Sequence, residues 1–130
     1  MSEKKILIVD DEMDFARILS AHLKAHGYNT VMASDAVGAI TVAQKERPDL
    51  IILDVAMPGG DGLTVLKRLG FSDHTSLIPV IVVTGLAPAM RAEAIAAGAV
   101  EFYVKPVDID ILLACIRKQL GQTVEAGQGR

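Results

Sequence analysis

The chain has 130 residues, 51% of them hydrophobic, only 4% aromatic, and a formal net charge of −3. That length fits one domain, with a core built mainly from Val, Ile, Leu and Ala. The acidic balance argues against direct nucleic-acid binding, the single Cys115 excludes an internal disulfide, and no apolar run approaches a signal-peptide core or a membrane span, so a cytoplasmic protein is expected.

Short apolar runs alternate with longer helical patterns five times. "KKILIVD" reads as a first strand, because a strand buried on both faces is continuously apolar rather than alternating. It runs into three acids, Asp10, Asp11 and Glu12. Asp14 is placed to cap the helix that follows. Phe15, Ile18, Leu19 and Leu23 lie at helical spacing, and Gly27 supplies the stop. "YNTVMA" is a weaker second strand. Asp35 reads as an N-cap for a helix carrying Val37, Ile40 and Ala43 inward, ended by Pro48.

"DLIILDV" is the third strand. The loop "AMPGGDG" leads to a helix from about Leu63 to Phe71, and its "PGG" adds flexibility after Asp54. "IPVIVVTG" is the fourth strand. Pro88 suits a first helical turn, the alanine-rich "AMRAEAIAAG" can lie close on a sheet, and Gly98 ends it. "VEFYVKP" is the fifth strand. Asp108 starts a last helix with Ile109, Leu112, Cys115 and Ile116 on one side. From Gly121 the chain is small, polar and aperiodic. Residues 121–130 are therefore expected to form a flexible tail or the start of a linker, and residues 1–120 the domain.

Alternating β and α units imply an α/β fold with a parallel sheet and helices on both faces. In such sheets ligands bind beyond the carboxyl ends of the strands. Asp10 and Asp11 follow the first strand, Asp54 closes the third, Thr84 the fourth and Lys105 the fifth, with Pro106 after it. Three carboxylates in one cleft repel. A lysine offsets one charge, and a hard divalent cation such as Mg²⁺ offsets two more with oxygen ligands. The same set suits phosphoryl transfer, with a carboxylate as nucleophile and lysine, threonine and metal on the phosphoryl oxygens. No histidine stands at a strand end, and no phosphate-binding glycine loop is present. His22 and His26 form an i, i+4 pair without a third ligand nearby in sequence. They read as solvated, as does His74, and Cys115 reads as a small apolar helix residue.

"ILIVDDE", "LIILDVAMPGGDG", "VIVVTG" and "FYVKP", in this order and spacing, resemble the receiver domain of two-component response regulators over roughly Lys4 to Leu120. The resemblance implies a flavodoxin-like, doubly wound sheet of five parallel strands with five helices. It implies Asp54 as phosphoacceptor. Asp10, Asp11, Asp54 and the Ala56 carbonyl would serve a Mg²⁺ ion, with Mn²⁺ as the substitute. Lys105 would pair with the phosphoryl group, Thr84 would swing toward it, and Phe102 would be the switch aromatic that turns inward. Tyr103, on the opposite face of the same strand, is the alternative buried partner. Gly85 stands where alanine is frequent, leaving space beside the site.

Ala56 and Leu86 occupy positions that tune dephosphorylation in relatives. Both are apolar, so a phosphorylated state that is not especially short-lived is expected. The phosphoryl group would come from a histidine kinase or phosphotransfer protein, and the chain would catalyse its own phosphorylation and slow hydrolysis as a regulator rather than a turnover enzyme. The fourth helix, fifth strand and fifth helix would carry output to an effector, as a monomer or a phosphorylation-dependent dimer. Two other readings remain open from sequence. A phosphohydrolase of the haloacid dehalogenase type needs a D-x-D arrangement and usually a cap domain, whereas the acids here are adjacent and the loops short. An unphosphorylated receiver-like interaction module predicts a missing acid or lysine, and none is missing.

Overall fold

The structure, a computed structural model, describes residues 3–57, 62–85 and 88–122. Five strands, β1 (Lys5–Val9), β2 (Asn29–Ala33), β3 (Leu50–Leu53), β4 (Val80–Thr84) and β5 (Glu101–Val104), form one parallel sheet in the order β2-β1-β3-β4-β5. They alternate with α1 (Met13–Ala25), α2 (Ala36–Glu46), α3 (Gly62–Phe71), α4 (Arg91–Ala96) and α5 (Ile109–Gln119). This is the doubly wound (βα)₅ arrangement expected from the alternation. The expectations for residues 58–60, for Leu86 and for residues 123–130 lie outside the described residues.

The continuous apolar runs become strands because both sheet faces are covered. On one face Leu7, Val9, Ile51, Leu53 and Val82 pack with residues of α2, α3 and α4 such as Ala39, Val65, Leu66 and Ala94. On the other, Ile6, Ile8, Ile52, Ile81 and Val83 pack with Leu19 and Leu23 of α1 and Leu112, Leu113 and Ile116 of α5. Each such side chain contributes on the order of 1.5–3 kcal/mol when fully buried. Phe102 joins the first face and Tyr103 the second, as period-two alternation requires.

Helix ends follow local chemistry, with corrections in detail. Asp35 caps α2 by accepting from Gly38 N–H at 2.7 Å, and Asp108 caps α5 through Asp110 and Ile111 N–H. Gly27 and Gly98 take φ values of 91° and 118° after α1 and α4, where a side chain would be strained. The N-cap of α1 is Glu12, not Asp14, which points into solvent. Ile18 and Val37 are exposed at 61% and 75%, so the inward stripes are narrower than the apolar spacing implies. In α2 the sheet is met by Ala39 and Ala43, because small residues allow close approach. The alanine-rich segment begins as a 3₁₀ turn, Pro88–Met90, before six residues of α-helix.

Candidate functional site: an acidic pocket at the carboxyl edge of the sheet

Strand register brings the site together. Val9 pairs with Ala33 on one side and Leu53 on the other, and Thr84 pairs with Val104. The next residue of each strand therefore emerges at one edge. Asp10 N–H donates to Ala33 O at 3.1 Å, Asp54 N–H to Val9 O at 2.9 Å and Lys105 N–H to Thr84 O at 2.8 Å, so the ladder continues through the functional residues. Their backbones are fixed by the sheet rather than by loops.

Lys105 stands at the centre. Its Nζ donates to Asp10 Oδ2 at 2.8 Å, to Asp54 Oδ2 at 3.2 Å and to Glu12 Oε1, and lies 4.3 Å from the centre of the Phe15 ring. Asp54 is engaged on both oxygens, since Oδ1 accepts from Thr84 Oγ1 at 2.7 Å and from Ala56 N–H at 2.8 Å. Asp10 Oδ1 accepts from Glu12 N–H at 2.8 Å. Asp10, Asp54 and Thr84 are buried. The Lys105–Pro106 peptide bond is cis, and Gly85 is exposed with open space beside its Cα.

Charge balance explains the ionisation tendencies. Burial alone works to lower the Lys105 pKa; the hydrogen bonds it donates to Asp10 and Glu12 and the charges of Asp54 and Asp10 outweigh it and raise the value above the usual lysine range. Burial pushes the Asp10 carboxyl up from its ordinary value, and the Asp54 charge adds to this, against the lowering influence of Lys105 and of the Glu12 N–H. Lys105 therefore does not fully offset the burial of the Asp10 carboxylate, and further positive charge beside it would favour the ionised form.

Four of the five residues expected at this edge, Asp10, Asp54, Thr84 and Lys105, are in one hydrogen-bonded group. Asp11 is half-buried beside it. Among the described residues, the carboxylates whose oxygens lie within 4.8 Å of one another are those of Asp10, Asp54 and Glu12. Glu12 is the member that residue-type reasoning passed over, although it stands third in the acidic run. Oxygen donors with net negative charge fit a hard divalent cation. Phe102 is buried at 5% exposure, so its ring lies inside in this structure, and Arg91 donates to its carbonyl oxygen at 3.1 Å. His26 Nδ1 faces the His22 carbonyl oxygen at 2.8 Å, which occupies that ring nitrogen. No helix among the described residues is long and apolar enough to cross a membrane.

The model of the response regulator receiver domain family matches residues 6–117. Sporulation initiation phosphotransferase F of Bacillus subtilis is 37% identical over 121 residues, covering 92% of this chain and 96% of that protein. The response regulator PleD of Caulobacter vibrioides is 40% identical over 114 residues, 87% of this chain but only 25% of that protein. The chain thus spans nearly all of one relative and a quarter of the other. Among solved structures, the chemotaxis response regulator CheY4 of Vibrio cholerae superposes with a TM-score of 0.84 at 32% identity, over 92% of this chain and all of that one. With a family match over residues 6–117 and a relative 37% identical over nearly its whole length, the chain belongs to the response regulator receiver domain family.

Proposed function

We propose that Asp54 is the residue phosphorylated in this receiver domain, in a reaction the chain itself promotes. The observation that carries the reading is the convergence of Lys105 and Thr84 on the two oxygens of one buried carboxylate. An Asp54 oxygen attacks phosphorus, the bond to the donor's leaving atom breaks, and the acyl phosphate forms at Asp54. Lys105 and Thr84, already directed at Asp54, shift to phosphoryl oxygens a short distance further out. Asp10, Asp11, Asp54 and the Ala56 carbonyl are the groups to hold Mg²⁺ or Mn²⁺. When bound, the ion neutralises phosphoryl and carboxylate charge together. Because sheet hydrogen bonds fix the reacting residues, positioning costs little at the moment of reaction.

The donor in this reading is a histidine kinase or a phosphotransfer protein, whose phosphohistidine nitrogen leaves as phosphorus is attacked. Residues 1–120 are the phosphorylated unit, and the α4, β5 and α5 surface carries the signal to an effector. Ala56 is exposed and has no side-chain polar group to orient an attacking water, which supports slow self-catalysed hydrolysis. The activity is that of a cytoplasmic regulator.

Incubation with acetyl phosphate and Mg²⁺ tests the reading. The wild-type chain gains the mass of one phosphoryl group, chelation of the metal stops the gain, and Asp54→Asn does not label. Equal labelling of Asp54→Asn contradicts it.

A further inference from the structure

Glu12 occupies the N-cap of α1, yet its side chain makes no capping hydrogen bond. The carboxylate turns back to Lys105 instead. Its situation differs from that of the other two acids on the lysine. Asp10 and Asp54 side chains are 2% and 4% exposed and are held by further hydrogen bonds from Glu12 N–H, Ala56 N–H and Thr84. The Glu12 side chain is 63% exposed. It can leave for water without stranding a buried charge, and parting an exposed ion pair costs little.

An ammonium has three hydrogens to donate. In this structure they serve Asp10, Asp54 and Glu12. A phosphoryl group arriving at Asp54 brings about two negative charges and three acceptor oxygens, and Lys105 has no donor to spare for it. One of the three carboxylates has to yield. Asp10 is buried and fixed, and Asp54 is the attachment point.

We propose that Glu12 is a displaceable counter-ion of Lys105: it holds the lysine before phosphorylation and is expelled to solvent as a phosphoryl oxygen takes its place. Glu12 is then a positioning residue that acts through Lys105, and its occupancy sets how readily the pocket accepts a phosphoryl group. The inference rests on Asp54 being the phosphorylated residue. It adds a competitor for the lysine that is specific to the third acid of the "DDE" run.

The test compares wild type, Glu12→Gln and Glu12→Asp at saturating Mg²⁺. Glutamine removes the competing charge. Aspartate keeps a charge at the mouth but is shorter and is favoured as an N-cap, so it turns to the helix N–H groups and releases the lysine. Both variants are expected to label with acetyl phosphate about two- to fivefold faster than wild type. Both are expected to bind beryllofluoride tighter by a similar factor, read by fluorine NMR, a quantity that a merely structural role for Glu12 would not improve. Wild-type rates and affinities in Glu12→Gln, or slower labelling, overturn the proposal. Acceleration by glutamine but not aspartate also overturns it, because mouth charge rather than lysine occupancy then governs. Absence of labelling in the wild type removes the Asp54 reading itself, whereas labelling that ignores Glu12 removes only this inference.

Discussion

Asp10 carries the clearest conflict between stability and function. It is 2% exposed, and burial raises its pKa despite Lys105. A carboxyl with a raised folded pKa binds its proton more tightly in the folded state. The stability it contributes is present below the ordinary value of 3.8 and is lost as pH rises through the folded value, leaving a net cost at neutral pH. Asp10→Asn is therefore expected to stabilise the chain at neutral pH by about 1 kcal/mol, a rise of a few degrees in Tm, while weakening Mg²⁺ binding. Lys105 keeps Asp54 and Glu12 as partners in that variant. Thermal unfolding without metal checks the first part and metal titration the second. At this scale the gathering of Asp10, Asp54 and Lys105 was legible because each is the first residue beyond a strand, and that of Thr84 because it is the polar last residue of one. The Glu12 contact was not, because it depends on a long side chain reaching back from a helix start to Lys105, which no spacing rule encodes.

At the scale of elements, two junctions shape the site. Gly62 opens α3 against the segment after Asp54, and an added Cβ would sit 2.2 Å from Val55 Cα and 2.7 Å from its carbonyl oxygen. Gly62→Ala is expected to cost about 1–3 kcal/mol, seen as a lower urea midpoint, because backbone rather than a flexible side chain must move. On the other side, Arg91 of α4 pairs with Glu101 of β5 at 2.9 Å and donates to Phe102 O. The Glu101 carboxyl is held below its ordinary value first by the Phe102 N–H, against a raising effect of burial, and further by Arg91. Such a group adds stability above the ordinary value of 4.5, and the gain is lost as pH falls through the depressed folded value. Glu101→Gln is expected to destabilise by no more than about 1 kcal/mol at neutral pH, the pair being partly exposed, with the difference from wild type closing in acid. Urea unfolding at the two pH values measures it. Strands and the caps at Asp35 and Asp108 were readable because apolar runs and capping residues act locally. The burial of Leu113 and the exposure of Ile18 and Val37 depend on how each helix is rotated on the sheet, a tertiary choice among several apolar positions.

At the scale of the whole molecule, the order β2-β1-β3-β4-β5 places the ends of β1, β3, β4 and β5 side by side. The α/β class and the gathering of strand-end residues followed from alternation alone. The family followed from four motifs standing at successive strand ends. What alternation cannot supply is the side-chain arrangement of the pocket. Here Thr84 is already bonded to Asp54, and Phe102 is already buried. Phosphorylation in this account therefore redirects existing hydrogen bonds by a short distance instead of recruiting remote side chains. That places the energetic demand of switching on the breaking of contacts to Lys105 and Thr84.

The most direct measurement is localisation of the phosphoryl group. Acetyl phosphate-treated protein is reduced with borohydride, which converts an aspartyl phosphate to homoserine, and is then sequenced by mass spectrometry. The account predicts homoserine at position 54 and unaltered Asp10 and Asp11. Conversion at another aspartate, or a label that resists both borohydride and hydroxylamine, contradicts it.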